Sequence, residues 1–373
     1  MTSEPPKQTF RRGKSEPLTR MLDYGMRREA AEQAHRALQE GQPWDQALVD
    51  IAEAERLKAR SAEETTDLTA AREYWLSAAT ALNFAQMTFA LDGERKARLY
   101  QQLIGCFAKF AGLVSPPARK LEVPFGSGAL HAWHFPLASD GPSPVVIVFG
   151  GLNGWAIAYS SMAEALRAQG IACLLVDGPG QGQSRLDGRV YLDAHVTKAF
   201  SRFVDVALDL ASGSGAVGLW GNSFGGLFAA LTAAADPRIS ACCINGAPTR
   251  SRLQTSPDAA KEPPALRTAK EQLAAMCGRR ELAGLEVTVE ALSFQPNVAP
   301  ILCPLLVLEG GADPLVLPNT QQAFLIGNRS PSSRLLTWRD GEHTLYNYAS
   351  ERDATVSGWF AERLAEAIAR NAA

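Results

Sequence analysis

The stretch WGNSFGG, residues 220–226, follows the apolar run AVGL and opens the small-residue segment LFAALTAAA. A serine with glycine two residues before it and two after sits here between a strand candidate and a helix candidate. A sharp strand-to-helix turn strains the serine backbone and demands small neighbours, which Gly221 and Gly225 provide. The N-terminus of the following helix aims free N–H groups and a positive dipole end at that serine. Glycine and serine are common turn residues, so the pattern alone does not separate a tight turn from one that holds Ser223 out as a nucleophile. The residues on either side decide.

Working outward, short apolar runs alternate with helical stretches: VVIVFG, IACLLVD, AVGLWG, ISACCING and PLLVLEG, with AYSSMAEALRAQG, a long amphipathic stretch around 193–212, and LFAALTAAA between them. Strands apolar throughout are those of a parallel sheet covered by helices on both faces, and this alternation predicts an α/β domain over about 119–373. It opens with a hairpin, KLEVPF and ALHAWHF around GSG, where the hydrophobic period is two. A polar, Pro-bearing block over about 247–300 breaks the rhythm. It is too long for a plain connection and reads as a lid-like insertion over one end of the sheet.

Upstream the period is helical. LTAAREYWLSAATALNFAQMTFA (68–90) and GERKARLYQQLIGCFAKFAGLV (93–114) carry apolar residues at spacings of three and four, and SPP at 115–117 ends the pattern. Residues 19–118 are therefore expected to form a helical N-terminal (cap) domain. Residues 1–18, with the basic cluster Arg11, Arg12 and Lys14, are expected to be a disordered tail.

The chain has 373 residues, 46% hydrophobic and 20% charged, with net charge −2, a composition with no basic surplus for nucleic acid or an anionic membrane. The polar N-terminus lacks a signal-peptide core, and no apolar run reaches the ~18 residues of a membrane span. The six cysteines form no CxxC pair and lie mostly in apolar runs, which suggests reduced, buried thiols, a cytoplasmic protein and no metal site.

A serine is a poor nucleophile at neutral pH without an adjacent base. In a nucleophile-elbow site the partners follow in the order Ser, acid, His. Of the five histidines (35, 131, 134, 195 and 343) only His343 lies beyond Ser223, in the loop-like RDGEHTLYN. His131 and His134 read as half-exposed strand residues, His35 and His195 as solvated helix residues. The imidazole needs a carboxylate on its other nitrogen. LLVLEGGADPLV places Asp313 in a Gly-rich turn straight after a strand, with Glu309 as the alternative; Asp340 and Glu342 stand too close to His343 in sequence to orient it. A tetrahedral intermediate needs backbone donors for its oxyanion, each worth about 3 kcal/mol. VVIVFGGLNGW supplies a strand and then Gly150 and Gly151, so the expected donors are the N–H groups of Leu152 and Phe224. LLVDGPGQGQSR (174–185) is another Gly-rich turn after a strand, but its spacing matches neither a Walker loop nor GxGxxG.

Together EYWLSAATALNFAQ, LVSPPAR, VFGGLNGW, VDGPGQGQS, WGNSFGG, GADPLV and DGEHTLYN resemble an α/β-hydrolase subgroup, over roughly residues 60–373. The subgroup takes in hydrolases similar to 2,6-dihydroxypseudooxynicotine hydrolase, fungal polyketide-shortening hydrolases and fermentation-respiration-switch esterases. The resemblance implies a mostly parallel sheet with helices on both faces, a helical N-terminal domain packed on it, an active site between the two, and a homodimer. It implies a Ser223–Asp313–His343 triad that cleaves a small hydrophobic carbonyl compound without cofactor or metal. The bond is a C–C bond beside a ketone, as in a β-diketone or polyketide, or an ester. An extra acidic residue used in the subgroup has only Asp258 and Glu262 as candidates. Gly151, Trp155 and Tyr74 are candidate substrate contacts. An acyltransferase or thioesterase on the same triad, and a catalytically silent ligand-binding fold, are the alternatives.

Overall fold

The computed structural model describes residues 15–138, 141–251, 264–281 and 283–371. The tail up to residue 14 and the candidates Asp258 and Glu262 lie outside the described residues.

Among the described residues five helices come first: α1 (Leu18–Asp23), α2 (Arg28–Gln39), α3 (Trp44–Glu64), α4 (Leu68–Met87) and α5 (Glu94–Leu113). Asp67 caps α4 by accepting the Ala70 N–H at 3.1 Å. Ala71, Ala78, Ala79, Ala81 and Ala85 of α4 are fully buried, and side chains this small let α3 and α5 pack close on either side of it. Pro116 and Pro117 follow α5 and cannot continue it.

Among the described residues the sheet has eight strands: β1 (Arg119–Phe125), β2 (Gly128–Phe135), β3 (Val145–Phe149), β4 (Ala172–Asp177), β5 (Val217–Asn222), β6 (Ile239–Asn245), β7 (Leu305–Gly310) and β8 (Arg334–Trp338). Their spatial order is β1-β2-β4-β3-β5-β6-β7-β8. The β1–β2 and β2–β4 pairs are antiparallel, and β3 to β8 run parallel. The remaining helices are α6 (Ser160–Ala168), α7 (Gly182–Leu186), α8 (Val196–Leu210), α9 (Phe224–Ala235), α10 (Pro264–Met276), α11 (Glu286–Ala291) and α12 (Ala349–Asn371). In β3 the period-two pleat divides the core cleanly. Val146 and Val148 face the side covered by α6 and α12, while Val145, Ile147 and Phe149 face α8 and α9. Nearly all the buried apolar residues of α1–α5 join the first of these clusters, so the N-terminal helices pack onto that side of the core. Among the described residues no helix is long and apolar enough to cross a membrane.

The carboxyl ends of the parallel strands share one edge, and the order reverses at β3, which lies between β4 and β5. In open α/β sheets the crevice at such a reversal is where ligands bind. The segments that follow β3, β4, β5, β7 and β8 meet there. Of the block over 247–300, the described part holds α10, α11 and an isolated bridge between Arg250 and Ser293. Gln272 of α10 accepts from Asn153 Nδ2 at 3.0 Å, which seats α10 over the turn after β3.

Candidate active site

Ser223 sits between β5 and α9 with φ 57° and ψ −132°, a left-handed backbone rare for a residue with a Cβ. Its surroundings hold it there. Its N–H donates to Asn245 O at 2.8 Å, and its carbonyl accepts from Gly226 N at 2.8 Å. A Cβ on Gly221 would lie 2.7 Å from the Ala229 Cβ, and one on Gly225 would press on the Gly150 backbone. Both glycines are therefore required by the close approach of chain segments at the elbow.

Three side chains from separate strand ends form one line. His343 Nε2 stands 2.7 Å from Ser223 Oγ, and His343 Nδ1 stands 2.7 Å from Asp313 Oδ2. The other Asp313 oxygen accepts the N–H groups of Leu315 at 2.7 Å and Val316 at 3.0 Å. His343 and Asp313 are both buried, while Ser223 is half-buried and reachable. Glu309 is committed elsewhere: it accepts from Asn319 N at 2.6 Å and Thr337 Oγ1 at 3.3 Å. Asp340 accepts from Tyr348 and Glu342 from Thr19. Asp313 is thus the carboxylate that meets the imidazole.

The turn after β3 packs on the elbow. A Cβ on Gly151 would lie 2.7 Å from Phe224 N, so only glycine fits beside the start of α9. Among the described residues no acceptor takes the N–H of Leu152 or Phe224. Gln181, fully buried in the turn after β4, donates to Gly150 O at 2.6 Å and Gly151 O at 2.9 Å. Asp177 at the end of β4 accepts from Ala156 N and Gln183 N, both at 2.9 Å, and from Tyr100 Oη at 3.2 Å. Burial raises the Asp177 carboxyl above its ordinary range, and those hydrogen bonds pull the other way.

Tyr74 and Trp155, the aromatic candidates for substrate contact, are packed against other side chains. The half-buried Tyr74 ring lies under Arg27, 4.4 Å from its centroid, and under Lys58. Trp155 is buried edge-on to Tyr100 with Lys96 and Arg185 over its ring. Neither makes a described contact with Ser223 or His343. His131 is buried rather than half-exposed, at a point where α7 packs on β2 and Ser184 Oγ accepts the His131 N–H at 2.8 Å. His35 is not solvated: its ring nitrogens meet Ala31 O and Glu16 O, and it packs against Trp44.

Several neighbours of the site carry no signature in the sequence. The Tyr346 ring is edge-on to His343, 6.0 Å between centroids, and meets Tyr24 of α1 at the same distance. Arg20 lies over the Tyr346 ring at 5.6 Å and donates to Tyr24 Oη at 3.2 Å and Glu16 at 2.7 Å; its Nε has no partner among the described residues. Burial opposes the Arg20 charge, and Tyr24, Tyr346 and Glu16 more than offset this, so its guanidinium is raised above its ordinary range. Behind His343, Thr344 and Leu345 also have positive φ, 53° and 62°. The Thr344 carbonyl is fixed by Asn245 Nδ2 and Arg352 Nη1, both at 3.0 Å.

Residues 140–291 match a family model described as serine aminopeptidase, S33. A 2,6-dihydropseudooxynicotine hydrolase from Paenarthrobacter nicotinovorans is 28% identical over 297 residues, 79% of this chain and 77% of the relative. An alpha/beta hydrolase (ucsC) from Acremonium sp is 29% identical over 53% of this chain and 45% of its own length. The crystal structure of a 2,6-dihydroxy-pseudo-oxynicotine hydrolase superposes with TM-score 0.78 at 23% identity, covering 93% of this chain and 96% of that one. The AbyA5 structure superposes with TM-score 0.65 at 20% identity, covering 87% and 88%. The chain has the α/β-hydrolase fold, and its sequence similarities fall among hydrolases that include 2,6-dihydropseudooxynicotine hydrolase.

Proposed function

We propose that the chain is a serine hydrolase of small hydrophobic carbonyl compounds. The observation that carries the proposal is the unbroken line from Asp313 through His343 to Ser223, with 2.7 Å at each step. In the reaction, His343 Nε2 accepts the Ser223 proton as Oγ adds to the substrate carbonyl carbon. Asp313 accepts from Nδ1–H, holds that tautomer and stabilises the imidazolium. The N–H groups of Leu152 and Phe224 receive the oxyanion. Collapse expels the leaving group, which takes the proton from His343. Water, deprotonated by His343, then releases the acid and regenerates Ser223.

The bond cleaved is a C–C bond beside a ketone or an ester. A carbon leaving group departs as an enolate, which needs a second carbonyl to spread its charge. The similarity over 79% of the chain to a protein named as a pseudooxynicotine hydrolase supports the C–C reading. So does the cationic Arg20 with Tyr24 and Tyr346 on the His343 side of the site.

The test is Ser223→Ala. The variant is expected to fold normally, lose the fluorophosphonate labelling of the wild type, and fall by about a thousandfold or more in kcat. Turnover by the variant at the wild-type rate rejects the proposal. A screen of aryl esters, lactones, thioesters and β-diketones then separates the substrate classes.

A further inference from the structure

We propose that Gln181 is a positioning residue for the oxyanion donor of Leu152. The inference rests on the serine-hydrolase reading above. Three observations meet. First, the Gln181 amide is fully buried with every hydrogen-bonding group engaged: Nε2 donates to Gly150 O at 2.6 Å and Gly151 O at 2.9 Å, and Oε1 accepts from Gly178 N at 2.8 Å. The reversed orientation would set an oxygen against two carbonyls and an NH2 against an N–H, so the amide has one allowed orientation. Second, the Gly151–Leu152 peptide is trans, Ser115–Pro116 being the cis bond among the described residues. In a planar trans peptide the N–H points opposite to the C=O. Holding the Gly151 carbonyl on Gln181 therefore turns the Leu152 N–H to the far side, away from Gln181. Third, a Cβ on Gly151 would lie 2.7 Å from Phe224 N, so the Gly151–Leu152 peptide lies against the start of α9, where the second expected donor stands.

The clamp has a reason to exist. Gly150 and Gly151 must be glycine because chain segments approach too closely for a Cβ, and glycine gives the peptide plane rotational freedom. An oxyanion donor works by being aimed before the charge forms. The turn after β3 supplies the donor but not its direction; Gln181 on the turn after β4 supplies that. The run GPGQG, with Gly180 at φ 78° and Gly182 at φ 40° around the glutamine, is thereby given a task other than phosphate binding.

The experiment uses Gln181→Glu, which keeps an acceptor for Gly178 but faces two carbonyls with oxygen, and Gln181→Met, which has similar length and no donor. Wild type is first labelled with a fluorophosphonate; failure to label rejects the serine-hydrolase reading itself. With labelling established, both variants are expected to lose about 10- to 100-fold in kcat on an aryl ester with KM within about twofold. The Ki of a trifluoromethyl ketone, which Ser223 converts to a hemiketal oxyanion, should weaken by the same factor, while that of a product carboxylate should hold. A kcat within about threefold of wild type, or equal weakening of both inhibitors, overturns the inference. If neither variant folds, the crystal structure of the wild-type trifluoromethyl ketone adduct decides. Leu152 N within about 3.1 Å of the oxyanion, with Gly151 O still on Gln181, supports the clamp; a rotated Gly151–Leu152 peptide overturns it.

Discussion

Asp313 has two carboxylate oxygens, and both are committed: one to His343 Nδ1, the other to the backbone of Leu315 and Val316. The backbone bonds fix the carboxylate plane, and the plane fixes the imidazole. Asp313→Asn keeps the shape but can place an N–H where Nδ1–H must donate. This favours the wrong tautomer and removes the charge that stabilises imidazolium. The expected result is a fall of about 10⁴ in kcat with a urea midpoint near that of wild type; a loss below tenfold rejects the orienting role. At this scale the alignment of Ser223, His343 and Asp313 was legible because the chemistry expected of them restricts both residue type and chain order, and only His343 follows Ser223. Gln181 was not legible. An amide acquires its role from the carbonyls it meets, and Gly150 and Gly151 lie 31 and 30 residues away.

Among the elements, the buried parallel strands were the easiest to read, since a strand covered on both faces has no polar face to confuse its period, as in VVIVF of β3. Helix ends were read a residue or more long: the apolar pattern continues to residue 90, but α4 stops at Met87. The hairpin shows what pairing adds. His134 of β2 lies opposite Arg119 of β1, and burial, then that guanidinium, lower its pKa from 6.5 to about 4. The neutral imidazole is therefore the form the fold accepts. A group depressed in this way contributes stability that is complete above pH 6.5 and is lost as pH falls toward 4. Because the ring is partly exposed, solvent screening reduces the effect to about 1–2 kcal/mol. Urea midpoints measured between pH 4 and 7 should drop with acid in wild type and drop less in His134→Gln. Parallel curves for the two proteins would show that His134 is not the group responsible.

For the whole molecule, the question is what ties the N-terminal helices to the strand-edge loops. Arg352 of α12 is fully buried and donates to Asp23 of α1 at 2.7 and 2.9 Å, to Asp353 at 2.8 Å and to the Thr344 carbonyl at 3.0 Å. Burial penalises its charge, and Asp23 and Asp353 more than reverse this, so the guanidinium is held firmly protonated. Asp23 and Arg352 are 329 residues apart in the chain, and nothing local in either segment announces the pair. One cation thus links α1, α12 and the left-handed segment just behind His343. Removing it leaves buried carboxylates unpaired, and breaking such a pair typically costs about 3–5 kcal/mol. Arg352→Met should destabilise by that order in urea unfolding. It should also reduce kcat, by about tenfold, at temperatures where the variant is still folded, because the Thr344 carbonyl loses one of its two donors. The double variant Asp23→Leu/Arg352→Met separates the two effects. Replacing both partners by apolar groups removes the unpaired Asp23 charge, so part of the stability should return. The Thr344 carbonyl still lacks its Arg352 donor, so kcat should remain low. If kcat recovers together with stability, the loop behind His343 is held by the general packing of the fold and not by this side chain.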